Sequence, residues 1–291
     1  LRVLELFAGI GGFAAAAPEL EVVAAIDASQ HVLDVYRQNW SHPALQKNIE
    51  GLHPEDFAQY DADMWWMSPP CQPHTIRGLQ KDVDDPRSAS FQKVLEAVAI
   101  VRPALIGFEN VEGFQNSTAH HQLKRVLEEA GYRFSEAVLC PSQFGVPNRR
   151  PRFLLAASQH HQPELNSPEP TARNLLTEYL LEPTPELFLS PAVCTKFGAS
   201  LHTVRESDPD ALTAVFTSAY TKTWMYAGSF LEQTDGRLRA FSPHEILNLL
   251  GFPAQFGLDG LGRRQAYKYV GNSLSVTTTQ AVIRALVSDR S

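Results

Sequence analysis

The chain of 291 residues has room for one large domain and one small one, and its composition (44% hydrophobic, 20% charged, 10% aromatic) is that of a globular protein. No run of about 18 apolar residues predicts a membrane span. Three cysteines far apart (Cys71, Cys140, Cys194) argue against a disulfide framework or a zinc site and fit a reducing cytoplasm, while the net charge of −7 disfavours an indiscriminate polyanion binder.

The opening Leu1-Arg2-Val3-Leu4 reads as a core strand, not a signal peptide, and the missing initiator Met as a trimmed N-terminus. Short apolar runs predict buried strands over 3–7, 22–26, 64–67, 104–108 and 153–157. A glycine turn precedes a helix starting at Phe13, and apolar residues recur at helical spacing over 88–101 and 117–130. This alternation predicts an α/β fold with a doubly wound, mostly parallel sheet. Past Gln159 the chain becomes rich in His, Pro, Ser and Thr, with weak periodicity until about position 238. Order returns with Ser242-Pro243-His244-Glu245, a capping box with proline at the first helical position. Ile246, Leu249 and Leu250 share one face, and Gly251 with Pro253 ends that helix. A last helix over 275–287 is expected to pack on the first domain. The predicted division is a first domain over 1–158 plus 270–291 and a small irregular second domain over 159–269.

Several motifs fall where such a fold places chemistry. Phe7-Ala8-Gly9-Ile10-Gly11-Gly12 joins a strand to a helix through glycines, which let a backbone approach a ligand closely. Asp27 lies 18 residues after Gly9, at the end of the second strand, where an acid would bind ribose hydroxyls. The pattern is not Gly-x-Gly-x-x-Gly and carries no Walker lysine, so it suits another adenosyl ligand; a plain tight turn is the bland alternative. Ser68-Pro69-Pro70-Cys71-Gln72-Pro73 follows the strand over 64–67. A lone cysteine is ordinarily a small buried hydrophobe, but two prolines stiffen this loop at the carboxyl end of the sheet, where ligands bind. Glu109-Asn110-Val111 closes another strand and could bring a carboxylate to Cys71, or be a surface acid. In Gly145-Val146-Pro147-Asn148-Arg149-Arg150-Pro151-Arg152, Arg150 and Arg152 alternate on one face of extended chain. Their planar forks suit phosphates and base edges; a solvated basic turn would look the same. Arg237, Arg239, Arg263, Arg264 and Lys268 gather against only Glu245 and Asp259, which predicts a locally basic cleft. Gly271-Asn272-Ser273 alone is a turn.

Taken in order, these motifs resemble the DNA (cytosine-5) methyltransferase family over nearly the whole chain. The resemblance implies a Rossmann-like S-adenosylmethionine-dependent methyltransferase fold, with a catalytic cofactor-binding domain over 1–158 plus 270–291 and a target-recognition domain over 159–269. S-adenosylmethionine is the implied cofactor and S-adenosylhomocysteine its product. Leu1-Arg2-Val3-Leu4-Glu5-Leu6, Met67 to Pro73, Val215-Phe216-Thr217 and Ile246-Leu247-Asn248-Leu249-Leu250-Gly251-Phe252-Pro253 look like the subgroup of type-2 homologues that methylate transfer RNA. The short second domain agrees. The resemblance implies an anticodon-loop cytosine, position 38, of an aspartate-type transfer RNA. The chain is expected to be a cytoplasmic monomer that binds RNA in preference to DNA, with no membrane and no metal. Asn148 stands where the wider family has Gln, His74 where Phe is usual, and Val215 where the subgroup typically has Cys.

The roles carried over are these. The Cys71 thiolate would add to cytosine carbon 6 and make carbon 5 nucleophilic. Glu109 would hold N3 and the exocyclic amine. Arg150 and Arg152 would orient the base or ribose and, by their charge, favour the thiolate. The base that finally removes the carbon-5 proton is not identified. Ile10, Gly11 and Gly12 would lie along the methionine moiety, Asp27 and Ala28 at the ribose, and Ile49 and Glu50 beside adenine. Ser68 and Ser273 would close the pocket, with Phe7 and Asn272 also in the cofactor set. Tyr220, Trp224 and Tyr226 could stack on unpaired bases or form the second domain's own core. Rival readings are a restriction-modification DNA methyltransferase with the same chemistry, a silent nucleic-acid binder, which would need neither Cys71 nor Glu109, and a nicotinamide dehydrogenase, which the glycine pattern disfavours. The pairs His120-His121 and His160-His161 are read as solvated histidines.

Overall fold

Val3, Leu4, Glu5 and Leu6 are all buried, so the first strand, β1 (Arg2–Leu6), is covered on both faces. The computed structural model describes residues 1–70, 89–169 and 171–288. Cys71 and His74 therefore lie outside the described residues. After β1 come α1 (Gly12–Ala16), β2 (Glu21–Asp27), α2 (Gln30–Asn39), β3 (Ala44–Gln46), α3 (Pro54–Ala58) and β4 (Met64–Met67). Then follow α4 (Ala89–Val101), β5 (Leu105–Val111), α5 (Thr118–Glu129), β6 (Arg133–Leu139) and β7 (Arg152–Ser158).

Among the described residues these strands form a seven-stranded sheet in the order β3-β2-β1-β4-β5-β7-β6. β1 to β5 pair in parallel, and β7 runs antiparallel between β5 and β6. From β1 the chain builds outward to β2 and β3, then returns to the other side of β1 for β4 and β5. The strand order reverses between β1 and β4, and the connections leaving those two strands diverge there. The α/β class and the mostly parallel, doubly wound sheet agree with the sequence. All five predicted strands are present. β3 and β6 were not anticipated, because β3 has three residues and β6 buries only Leu139 fully.

Successive tryptophans on β4 point to opposite faces, as strand geometry requires. Trp65 packs on Phe57 of α3 with ring centroids 5.4 Å apart, and Trp66 stacks on Phe13 of α1 at 5.1 Å. On the Trp65 face, Phe91 of α4, Phe108 of β5, Phe114 and Phe153 of β7 interlock. Ser117 caps α5 by accepting the His120 N–H.

The remaining elements are α6 (Pro191–Phe197), β8 (His202–Arg205), β9 (Ser229–Glu232), β10 (Leu238–Ala240), α7 (Pro243–Leu250), α8 (Arg263–Asn272) and α9 (Val276–Val287). Among the described residues, β10-β9-β8 is a three-stranded sheet, antiparallel at β9/β10 and parallel at β8/β9. The second region is thus more ordered than its weak periodicity suggests; strands of three or four residues are too short to show alternation. The capping box of α7 forms as its spacing predicts: Ser242 Oγ accepts the Glu245 N–H, and a Glu245 carboxylate oxygen accepts the Ser242 N–H. Gly251 ends the helix at φ 84°.

The chain divides into two compact units, one of Leu1–Leu139, Pro151–Ser167 and Thr278–Ser291, the other of Cys140–Arg150 and Pro168–Thr277. The strip Cys140–Arg150 and the residues before Thr278 group with the second unit, whereas the sequence division assigns 1–158 and 270–291 to the first domain.

Gly107 lies under Trp66: a Cβ there would come within 2.5 Å of the indole. Gly107→Ala should therefore destabilise the first unit by about 1–3 kcal/mol through overpacking. Thermal unfolding should show a melting temperature lower by several degrees.

Candidate active site

The turn after β1 is fixed by left-handed backbone at Phe7 (φ 58°), Gly9 (φ 57°) and Gly11 (φ 89°). Ala8 N–H donates to the Ile26 carbonyl, tying the turn to β2. Asp27 completes the tie: one carboxylate oxygen accepts the Gly9 N–H at 3.0 Å and the other the Ser29 N–H at 2.9 Å. Burial pushes the Asp27 carboxyl above its ordinary range, against the pull of these N–H donors. Gly11 is required twice, by its φ and because a Cβ there would lie 2.3 Å from the Trp40 indole nitrogen. Gly9 differs: a Cβ would meet no atom within 4 Å, so the turn is open beside Asp27.

Ala28, Ile49, Glu50 and Ser68, also assigned to the cofactor, follow β2, β3 and β4 at the same edge of the sheet. Ala28 follows β2 and is exposed; its carbonyl accepts from Gln46 of β3, and Lys47 N–H donates to the Asp27 carbonyl. Ile49, buried, and Glu50, exposed, start the short turn that Asn48 caps after β3. Ser68 follows β4; its hydroxyl accepts from the Trp66 indole N–H. The Pro69 carbonyl accepts from Asn110 of β5, which anchors the chain two residues before Cys71. Glu109, on β5, holds Arg152, at the start of β7, in an ion pair of 3.1 Å with both side chains about nine-tenths buried. The edge thus gathers a glycine turn, the Asp27 carboxylate that ties it to β2, and a carboxylate fixed by arginine.

Arg150 has other partners. It is 2% exposed, within the second unit, and its terminal nitrogens donate to the carbonyls of Phe216, Gly271 and Ser273. Its own N–H donates to the Cys140 sulfur. Asn148 joins this lattice by donating to Thr213 Oγ1 and the Ala214 carbonyl. Gly271 lets α8 close on the Val215-Phe216-Thr217 segment, since a Cβ there would come within 2.4 Å of the Thr217 carbonyl carbon. Asn272 is exposed and Ser273 half-buried at the end of α8. Three stretches distant in sequence are therefore knitted by one guanidinium.

Of the five basic residues expected to form a cleft, Arg263, Arg264 and Lys268 are exposed, and the other two are paired. Arg239 is buried in a two-pronged ion pair with Glu245 at 2.7 and 2.9 Å, and Arg237 pairs with Asp235 at 2.6 Å. Burial, which net charge does not reveal, removes Arg239 from the surface count, whereas Arg237 stays exposed. Tyr220 is core, with its hydroxyl donating to the Ser229 carbonyl, whereas Tyr226 is exposed. Among the described residues no helix is long and apolar enough to cross a membrane.

The profile of C-5 cytosine-specific DNA methylases matches residues 1–187 and 194–288. The chain belongs to the C-5 cytosine-specific DNA methylase family. Within that family it is 30% identical to a tRNA (cytosine(38)-C(5))-methyltransferase of Schizosaccharomyces pombe, with 99% of this chain and 97% of that protein covered. The crystal structure of the S. pombe Dnmt2 methyltransferase superposes with a TM-score of 0.89 at 30% identity, over 99% of this chain and 98% of that one. A methyltransferase of Entamoeba histolytica, 24% identical, shares the fold with a TM-score of 0.90 over 100% and 99% of the two chains.

One site group escaped the sequence reading, although the acid inside Leu4-Glu5-Leu6 marks it. Glu5, on β1 just before the methylase's glycine turn, is 1% exposed and accepts the Tyr36 hydroxyl at 2.8 Å. That hydroxyl also lies 3.1 Å from His42 Nδ1. Burial raises the Glu5 carboxyl from 4.5 to about 8; the nearby Asp27 adds to this, while the Tyr36 hydroxyl and the Phe13 N–H oppose it.

Two outcomes follow from these contacts. The native state holds a proton on Glu5 that the unfolded chain releases above its ordinary carboxylate range. This part of the stability is complete below about 4.5 and is lost as pH rises towards about 8. Glu5→Gln should flatten that decline in denaturant titrations run across this range. Gly271→Ala should cost about 1–3 kcal/mol or more, because the atom it meets is backbone and cannot yield. Chemical denaturation of the pure variant measures it.

Proposed function

We propose that this methylase transfers the methyl group of S-adenosylmethionine to carbon 5 of a cytosine in the anticodon loop of a transfer RNA, position 38 of an aspartate-type species. The observation that carries the substrate is the match, end to end, with a transfer-RNA methyltransferase of nearly the same extent. The chemistry rests on Glu109, held by Arg152 at the carboxyl edge of the sheet, in a chain that continues from Pro70 to Cys71. The open turn at Gly9 beside Asp27 fits an adenosyl cofactor.

S-adenosylmethionine, when bound, supplies an electrophilic methyl group. Phe7, Ile10, Gly11, Gly12, Asp27, Ala28, Ile49, Glu50, Ser68, Asn272 and Ser273 are the residues proposed to hold it. Cys71 adds its thiolate to carbon 6 of the cytosine, which places electron density at carbon 5. Glu109 binds N3 and the exocyclic amine, and its ion pair with Arg152 fixes the carboxylate for that contact. Loss of the carbon-5 proton then expels Cys71 and restores the ring. Arg150 is a positioning residue, acting through the carbonyls of Phe216, Gly271 and Ser273. An RNA loop offers its target base at lower unstacking cost than a duplex.

Labelled S-adenosylmethionine incubated with transfer RNA, and separately with genomic DNA, tests this reading. Label should enter RNA, and Cys71→Ala should reduce the rate by at least about a thousandfold. Label in DNA alone would replace the substrate, and label that persists with Cys71→Ala would remove the mechanism.

A further inference from the structure

Two carboxyls hold the turn after β1, and neither is matched by a cation. Asp27 accepts the Gly9 N–H, and Glu5 of β1 accepts the Phe13 N–H in α1. Glu5 is 1% exposed, and among the described residues no Lys or Arg pairs with either acid.

The elements packed around Glu5 supply two further titratable groups. Tyr36 of α2 donates its hydroxyl to Glu5 at 2.8 Å, and that hydroxyl lies 3.1 Å from His42 Nδ1. His42 is half-buried, and burial holds its ring below the ordinary imidazole range, so it is a neutral acceptor near pH 7. Elsewhere on α2, His31, Asp34 and Arg37 are exposed, and Glu21 of β2 pairs with Arg2 at the opposite end of the strands. α1 and β4 carry no titratable residue.

The same side chains touch the turn itself. A Cβ on Gly11 would come within 2.3 Å of the Trp40 indole and 3.0 Å of the Tyr36 ring. Trp40 in turn stacks on His42 with centroids 6.3 Å apart. The path from Glu5 through Tyr36 to His42 therefore runs along the backbone proposed to hold the methionine moiety.

A buried acid pair without a counter-cation, beside a turn that is open at Gly9, suits a ligand that brings positive charge. S-adenosylmethionine carries a sulfonium as well as an ammonium; S-adenosylhomocysteine has a neutral thioether in place of the sulfonium. We propose that Glu5 makes this turn distinguish S-adenosylmethionine from S-adenosylhomocysteine by charge. Glu5 gives up its proton when the sulfonium cation binds. That proton passes to the Tyr36 oxygen as the Tyr36 hydroxyl proton passes to His42 Nδ1, and His42 releases its Nε2 proton to solvent. Methyl transfer turns the sulfonium into a thioether; Glu5 then takes a proton back by the reverse path, and the hold on the product weakens. Burial, which raises the Glu5 carboxyl to about 8, places this exchange near neutral pH. The proposal rests on the S-adenosylmethionine reading above and is independent of which nucleic acid is methylated.

Titration calorimetry of both compounds on the full chain, between about pH 6 and 9, tests it. The preference for S-adenosylmethionine over S-adenosylhomocysteine should rise with pH, by about fivefold more in wild type than in Glu5→Gln. The compounds' own amines titrate alike with both proteins, so the difference reports Glu5. Near pH 7, buffers of different ionisation enthalpy should show wild type releasing more proton with S-adenosylmethionine than with S-adenosylhomocysteine. Tyr36→Phe, which removes the donor that favours the Glu5 carboxylate, should move the rise to higher pH. Parallel curves for wild type and Glu5→Gln, equal proton release with the two compounds, or a Tyr36→Phe curve that does not move would each overturn the charge selection. Wild type that binds neither compound would sink the cofactor reading, and this proposal with it.

Discussion

The parallel sheet reverses its direction of growth between β1 and β4, and the arrangement of chemistry follows from that reversal. Connections that leave neighbouring parallel strands on opposite sides cannot close over the sheet edge between them. The glycine turn after β1, Asp27 at the end of β2, the turn after β3, the Pro69–Pro70 step after β4 and Glu109 on β5 all lie along that edge. None needs to be adjacent to another in sequence, because the register of β1 to β5 sets their spacing.

Buried polar groups make the edge stiff. Asp27 accepts two backbone N–H groups, so its position is set by the same turn it would serve. Burial of Glu5 two residues before that turn is costly, and Tyr36 offsets part of the cost. In the second unit, Arg150 satisfies three carbonyls, and Glu245 accepts from Arg239, Ser242 and Leu181 together. Each such group is costly without its partners and specific with them.

The sequence shows the parts whose signal is local. Apolar runs mark β1, β2, β4, β5 and β7, and Ser242-Pro243-His244-Glu245 marks α7 because a cap lies within four residues. It does not show features that depend on partners far along the chain. Arg239 counts as surface charge until Glu245 is seen against it, and Arg150 and Arg152 look like a matched pair until each finds different partners. Tyr220 and Tyr226 are the same residue type six positions apart, yet one is core and one is exposed, which only the packing of β9 and α8 decides. β6 was missed because half-buried residues give no apolar run. The placement of Cys71 is legible only as the residue after Pro70.

The chain passes from the first unit to the second at Cys140, returns at Pro151, leaves again at Pro168 and comes back at Thr278. Neither unit is a continuous segment, so a ribosome cannot deliver them one after the other. The sheet begun at Arg2 must wait for Arg152–Ser158 to slot between β5 and β6, and for residues beyond Thr278 before its unit is whole. During synthesis the first unit therefore stays incomplete until the whole of the second has emerged.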